Sequence, residues 1–103
     1  MIHLSFYVPE THLEIVKKSI FEAGGGKIGN YDSCAFEIRG MGQFRPLEGS
    51  QAFIGKQGVV ERVNEVKVEL VVEESLIEKV IHALRNSHPY ETPAYYAVQT
   101  LNL

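Results

Sequence analysis

From Ile2 to Val8 apolar and polar residues alternate, with Ile2, Leu4 and Phe6 on one side and His3, Ser5 and Tyr7 on the other. A two-residue period marks a strand with one buried face, and Pro9 closes it. The period then lengthens. Leu13, Val16, Ile20 and Ala23 recur at helical spacing, Thr11 and Glu14 have the form of a capping box, and Gly24-Gly25-Gly26 stops the pattern. An amphipathic helix of three to four turns is predicted between them.

Alternation returns between Ser33 and Arg39, where Cys34, Phe36 and Ile38 read as the inward side of a second strand and Ala35, Glu37 and Arg39 as the outward side. Gly40 to Gly58, rich in glycine and without a sustained period, reads as a long connection. Glu65 to Val72 alternates most clearly, with Val66, Val68, Leu70 and Val72 inward, and Val59 to Val63 extends it as a bent continuation. Ser75 and Glu78 form a second capping box before the stripe Leu76 or Ile77, Val80, Ile81 and Leu84. Because Pro89 disfavours helical geometry at His88, this helix ends near Ser87. Tyr95 to Leu101, rich in tyrosine and valine, is the last strand.

The order β-α-β, long connection, β-α-β predicts one α+β domain over residues 1–103. It is a ferredoxin-like antiparallel sheet with both helices on one face. The other face is left uncovered. Its expected outward residues include Tyr7, Ala35, Val71 and one of Tyr95 or Tyr96, more apolar than a solvated surface requires, so self-association through that face is expected.

Composition narrows the function classes. With 45% hydrophobic residues the 103-residue chain can build a core without staples, and Cys34, its only cysteine, cannot form an internal disulfide. Cys34 is expected to be a buried, inert thiol. The first residues lack the basic start and apolar block of a signal peptide, and no apolar run approaches the length of a membrane span, so a cytoplasmic location and no membrane partner are expected. Ten basic against thirteen acidic residues, with no basic stripe, argue against nucleic acid.

Chemistry concentrates in His88-Pro89-Tyr90-Glu91-Thr92-Pro93, where two prolines stiffen a loop carrying an imidazole, a phenol and a carboxylate. His88 and Glu91 could ligate a divalent metal or exchange protons. Alternatively Tyr90 packs the loop and His88 caps carbonyls at the helix end. Two donors from one loop are too few for a structural metal site, so a metal needs ligands from elsewhere or from a second subunit. His3, His12 and His82 have no metal spacing. Gly40-Met41-Gly42-Gln43-Phe44-Arg45 is only superficially similar to a dinucleotide fingerprint, since Arg45 replaces the third glycine and no helix follows. Arg45 could grip an anion or pair with Glu48 or Glu91. No nucleophile with an activating base is evident, so no catalytic residue is assigned and the chain is read as non-enzymatic.

Several segments together carry a resemblance: Val8-Pro9-Glu10, Gly29-Asn30-Tyr31 with Cys34, Phe44-Arg45-Pro46-Leu47-Glu48-Gly49, Ile54-Gly55, and His88-Pro89-Tyr90-Glu91 with Pro93-Ala94-Tyr95. Over nearly its whole length the chain resembles the PII/CutA-like domain inserted in bacterial Nif-three-like (YqfO-type) proteins, here as a free-standing domain. His88-Pro89-Tyr90-Glu91 is also similar to the matching stretch of CutA proteins. The resemblance implies a compact homo-oligomer, a trimer in preference to a dimer, with functional residues at clefts between subunits. The phosphate-gripping motifs of PII proteins are not seen, and the dinuclear metal site of the Nif-three-like proteins is implied to sit on flanking domains outside these residues. No hydrolase activity is therefore carried over. The expectation is a binding or regulatory module that senses a small ligand or a divalent metal at a subunit interface lined by Arg45, Glu48, His88, Tyr90 and Glu91. A purely structural oligomerisation domain, or one that binds a partner protein, is the alternative.

Overall fold

A computed structural model describes all residues, Met1–Leu103. Strands β1 (Ile2–Pro9), β2 (Phe36–Phe44), β3 (Glu61–Val72) and β4 (Tyr95–Gln99) form one antiparallel sheet in the order β2-β3-β1-β4. Helices α1 (Leu13–Glu22) and α2 (Ile77–Ser87) pack side by side on one face of it. This is the α+β, ferredoxin-like arrangement expected from the sequence.

The core follows the alternation. Leu4, Phe6 and Val8 of β1 and Val66, Val68, Leu70 and Val72 of β3 point towards Leu13, Val16 and Ile20 of α1 and Val80 and Leu84 of α2, and all are buried. Each such side chain contributes about 1.5–3 kcal/mol by leaving water. The two halves repeat this plan closely: Leu4, Phe6 and Val8 are matched by Val68, Leu70 and Val72, and Val16 and Ile20 by Val80 and Leu84. Ser19 of α1 donates a hydrogen bond to the Ala83 carbonyl of α2 at 3.3 Å where the helices meet.

Neither capping box forms. Each helix is entered through a short 3-10 turn, Glu10–His12 or Glu74–Leu76, and no side chain caps either start. Thr11 bonds instead to its neighbour His12 at 2.9 Å. The strand turns into its helix over three residues in the first half and four in the second, so the first amides lie in 3-10 geometry where a Thr or Ser oxygen cannot reach them.

The second strand differs from its expected register and length. Directly paired residues of an antiparallel sheet share a face. Phe36 pairs with Glu69 and Ile38 with Lys67, so both lie on the open face, opposite to the inward side predicted for them. Glu37 and Arg39 point to the helix side, where Lys17 pairs with Glu37 and Arg39 bonds Glu10 at 2.7 Å. The strand is at the sheet edge, beyond the helices' cover, so its helix-side positions meet the charged flank of α1 and require no apolar residue. Cys34 precedes the strand and is only half-buried, with its thiol 3.6 Å from the Asp32 carbonyl, so it is not a core residue.

Pairing of β2 with β3 continues through Gly40 and Gly42 to Phe44, making residues 40–44 strand and confining the irregular connection to residues 45–60. The resulting arm draws the molecule out to 46 Å against 24 Å across. Strand β4 ends at Gln99, two residues short of the expected end. Tyr96 is the tyrosine on the open face, while Tyr95 packs on the core.

Candidate ligand-binding site

β4 leaves β1 at Tyr95, and the segment His88 to Ala94 continues along the same edge. His88 follows α2, where its backbone N–H donates to the Leu84 carbonyl at 2.9 Å and its extended geometry is what Pro89 requires. The imidazole is 6% exposed. Its Nε2 lies 2.7 Å from the Tyr7 carbonyl, and its Nδ1 accepts the Tyr90 N–H at 3.1 Å. These partners define the tautomer with the proton on Nε2. The ring thus caps a strand carbonyl of β1, where the sequence suggested the end of the helix. Burial lowers the pKa of His88 from its ordinary value, against the opposing pull of the Tyr7 carbonyl and the charge of Glu65.

Tyr90 hangs from this anchored imidazole. Its hydroxyl donates to Glu65 Oε2 at 2.9 Å, and its ring lies 5.7 Å from Phe44 and 6.4 Å from Phe53. Burial first, then the hydrogen bond and charge of Glu65, push the phenol above its ordinary range, so it stays protonated. Glu91 accepts the Gln51 N–H at 3.0 Å and ties the arm's connection to this loop. Between the two segments lies a concave space of about 260 Å³, walled by Tyr7, Phe44, Phe53 and Tyr90 with Glu65 and Glu91 at its polar positions.

Of the five residues singled out in the sequence, the structure brings together His88, Tyr90 and Glu91. Arg45 and Glu48 are exposed in the connection, form no ion pair with each other or with Glu91, and do not line the cavity. The side chains do not fit a divalent cation within this chain. Both ring nitrogens of His88 are engaged, and no group of three or more His, Cys, Asp or Glu side chains gathers anywhere.

Sequence reading missed Glu65, Phe44 and Phe53. Glu65 looked like one more outward residue of an alternating strand. The signal was in the opposite strand: Gly40 and Gly42 are alternate residues on the same face, leaving a trough beside Glu65. A Cβ on Gly42 would collide with the Glu65 carboxylate, so glycine there makes room for the acid to reach Tyr90.

No family model matches the chain. It is 49% identical over 92 residues to a GTP cyclohydrolase 1 type 2 homolog of Halalkalibacterium halodurans and 46% identical over 92 residues to that of Bacillus subtilis, each match covering 89% of this chain. The chain spans about a quarter of the length of these curated relatives. Among solved structures, a Bacillus cereus protein related to NIF3 superposes with a TM-score of 0.84 at 42% identity, covering 98% of this chain and 26% of that one. CutA1 from Pyrococcus horikoshii superposes with a TM-score of 0.69 at 22% identity over 100% of this chain and 86% of its own, a likeness of fold. The PII-like protein CutA from Nostoc sp. PCC 7120 superposes likewise, with a TM-score of 0.68 at 18% identity, covering 97% of this chain and 81% of that one.

Proposed function

The chain has the PII/CutA-like fold and is related through it to the Nif-three-like proteins, and from this premise we propose that it works as a non-enzymatic homo-oligomeric binding or regulatory module. The observation that carries the proposal is the open face of the sheet. Phe36, Ile38, Tyr96 and Val98 are exposed there at 65%, 45%, 63% and 59%, on the two edge strands. Between them lies a polar centre already paired within the chain, His3 with Glu69 at 3.2 Å and Lys67 with Glu69 at 4.0 Å. Apolar flanks around internally satisfied polar groups suit burial against another copy, because little uncompensated charge is then desolvated. A trimer is the assembly that the likeness to CutA supports.

No helix is long and apolar enough to cross a membrane. The reaction named for the longer relatives is not extended to this domain. Native mass spectrometry with light scattering tests the proposal. The wild-type chain is expected as a trimer, and the double variant Phe36→Asp with Tyr96→Asp as a folded monomer, since both side chains lie outside the core. A wild-type monomer at micromolar concentration sinks the idea.

A further inference from the structure

The cavity beside Tyr90 has a chemical bias of its own. Four aromatic rings, from Tyr7, Phe44, Phe53 and Tyr90, wall it, and Glu65 and Glu91 supply its only ionisable carboxylates. None of its twelve lining residues is a lysine, arginine or histidine. Lys67, on the same face as Glu65, lies 4.0 Å from Glu69, His12 packs edge-on to Phe53 with ring centroids 5.4 Å apart without lining the space, and His88 behind Tyr90 turns both ring nitrogens to the backbone. Only Tyr90 donates to the Glu65 carboxylate, through Oε2. Such a space repels phosphates and carboxylates, whereas a cation is attracted both by the carboxylates and by the faces of the rings.

The geometry points to a binding site for a small organic cation, an alkylammonium head caged by Phe44, Phe53 and Tyr90 and neutralised by Glu65 and Glu91. The volume of about 260 Å³ limits the ligand to a few carbon atoms around the charge. Tyr90 serves as a wall whose tilt is fixed twice, by the Glu65 hydrogen bond at its hydroxyl and by the His88 contact at its N–H. The bond between Glu91 and Gln51 holds the connection that carries Phe53 against the opposite loop. This inference rests on the reading of the domain as a binding module but not on its oligomeric state, because every group belongs to one chain.

The test is an NMR titration of the full chain with three probes: choline, its uncharged isostere 3,3-dimethylbutan-1-ol, and inorganic phosphate. Choline is expected to shift the amides of Gln51, Phe53, Tyr90 and Glu91 saturably, and the isostere to bind about tenfold or more weakly. Glu65→Gln keeps an acceptor for the Tyr90 hydroxyl and is expected to weaken choline about tenfold. Glu91→Gln and Phe53→Leu give the same direction if Glu65→Gln loses its dispersed spectrum. Equal affinity for choline and the isostere, phosphate binding at these amides, or no saturable choline shift each overturns the proposal. Repeating the titration on the Phe36→Asp, Tyr96→Asp variant separates the two readings: choline binding there supports the cation site whatever the subunit count. An oligomeric wild type that ignores choline overturns the site and leaves the assembly standing.

Discussion

The chain uses the order strand, 3-10 turn and helix twice, and beyond the longer β3 that builds the arm the two copies diverge most where their helices end. After α1 the chain stops on Gly24, whose φ of 106° only glycine adopts readily, and the next amide, Gly25 N–H, reaches back to the Ile20 carbonyl at 3.0 Å. A glycine-containing turn then leads to an edge strand held by ion pairs to α1, through Lys17, and to the 3-10 turn before it, through Glu10. After α2 the equivalent position is His88, which closes its helix through the backbone and spends its side chain on β1 and Tyr90. The helices therefore need the same apolar stripe but not the same terminus. Where the second copy has a rigid polar anchor in place of a glycine turn, it gains a cavity wall.

The largest expected effects test the sameness. Phe6→Ala and Leu70→Ala, at equivalent buried positions of β1 and β3, should each cost about 2–5 kcal/mol in urea denaturation. If one of the two proved nearly silent, the halves would not share one core. His88→Ala tests the difference: it strips partners from the Tyr7 carbonyl and the Tyr90 N–H, at about 1–3 kcal/mol for each group left buried and unpaired.

The same residue sets a pH dependence. Its folded pKa is depressed below the ordinary 6.5, so the unfolded chain binds the proton first. The stability it contributes is present above 6.5 and is lost as pH falls through the folded value. The thermal midpoint should drop on acidification below about pH 6.5, and by less in His88→Gln; an identical slope in both would assign the effect elsewhere. The smallest effects return to the sameness. Thr11→Ala and Ser75→Ala, the would-be caps, should each change stability by no more than about 0.5 kcal/mol, because neither oxygen caps a helix. A loss of about 1 kcal/mol in either would mean that a cap forms in solution.

The alternation of Leu4, Phe6 and Val8 and of Val66 to Val72 was legible because each of these strands has one face under a helix. The same rule misassigned β2, since an edge strand past the helices carries its apolar residues on the other face. Around the cavity, Tyr90 and Glu91 in its wall and His88 behind them could be recognised as an unusual group on a stiff loop, whereas Arg45 and Glu48 looked equally promising and stand apart. Glu65 and Phe53 carried no local mark, as each is an ordinary residue for its segment, and Phe44 stood only as the first residue of a motif whose Arg45 and Glu48 drew the assignment.

What the sequence determined by itself was local: periods of two and of three to four, the glycine and proline stops, and from their order the ferredoxin-like sheet with two helices, while the motif segments carried the resemblance to PII/CutA-like domains. Only the tertiary structure decided which side of β2 faces outward, that His88 turns to a strand carbonyl, and that Glu65 crosses Gly42 to meet Tyr90. Periodicity records burial along one element. Register and hydrogen-bond partners depend on groups 25 to 81 residues apart, brought together only when the sheet closes.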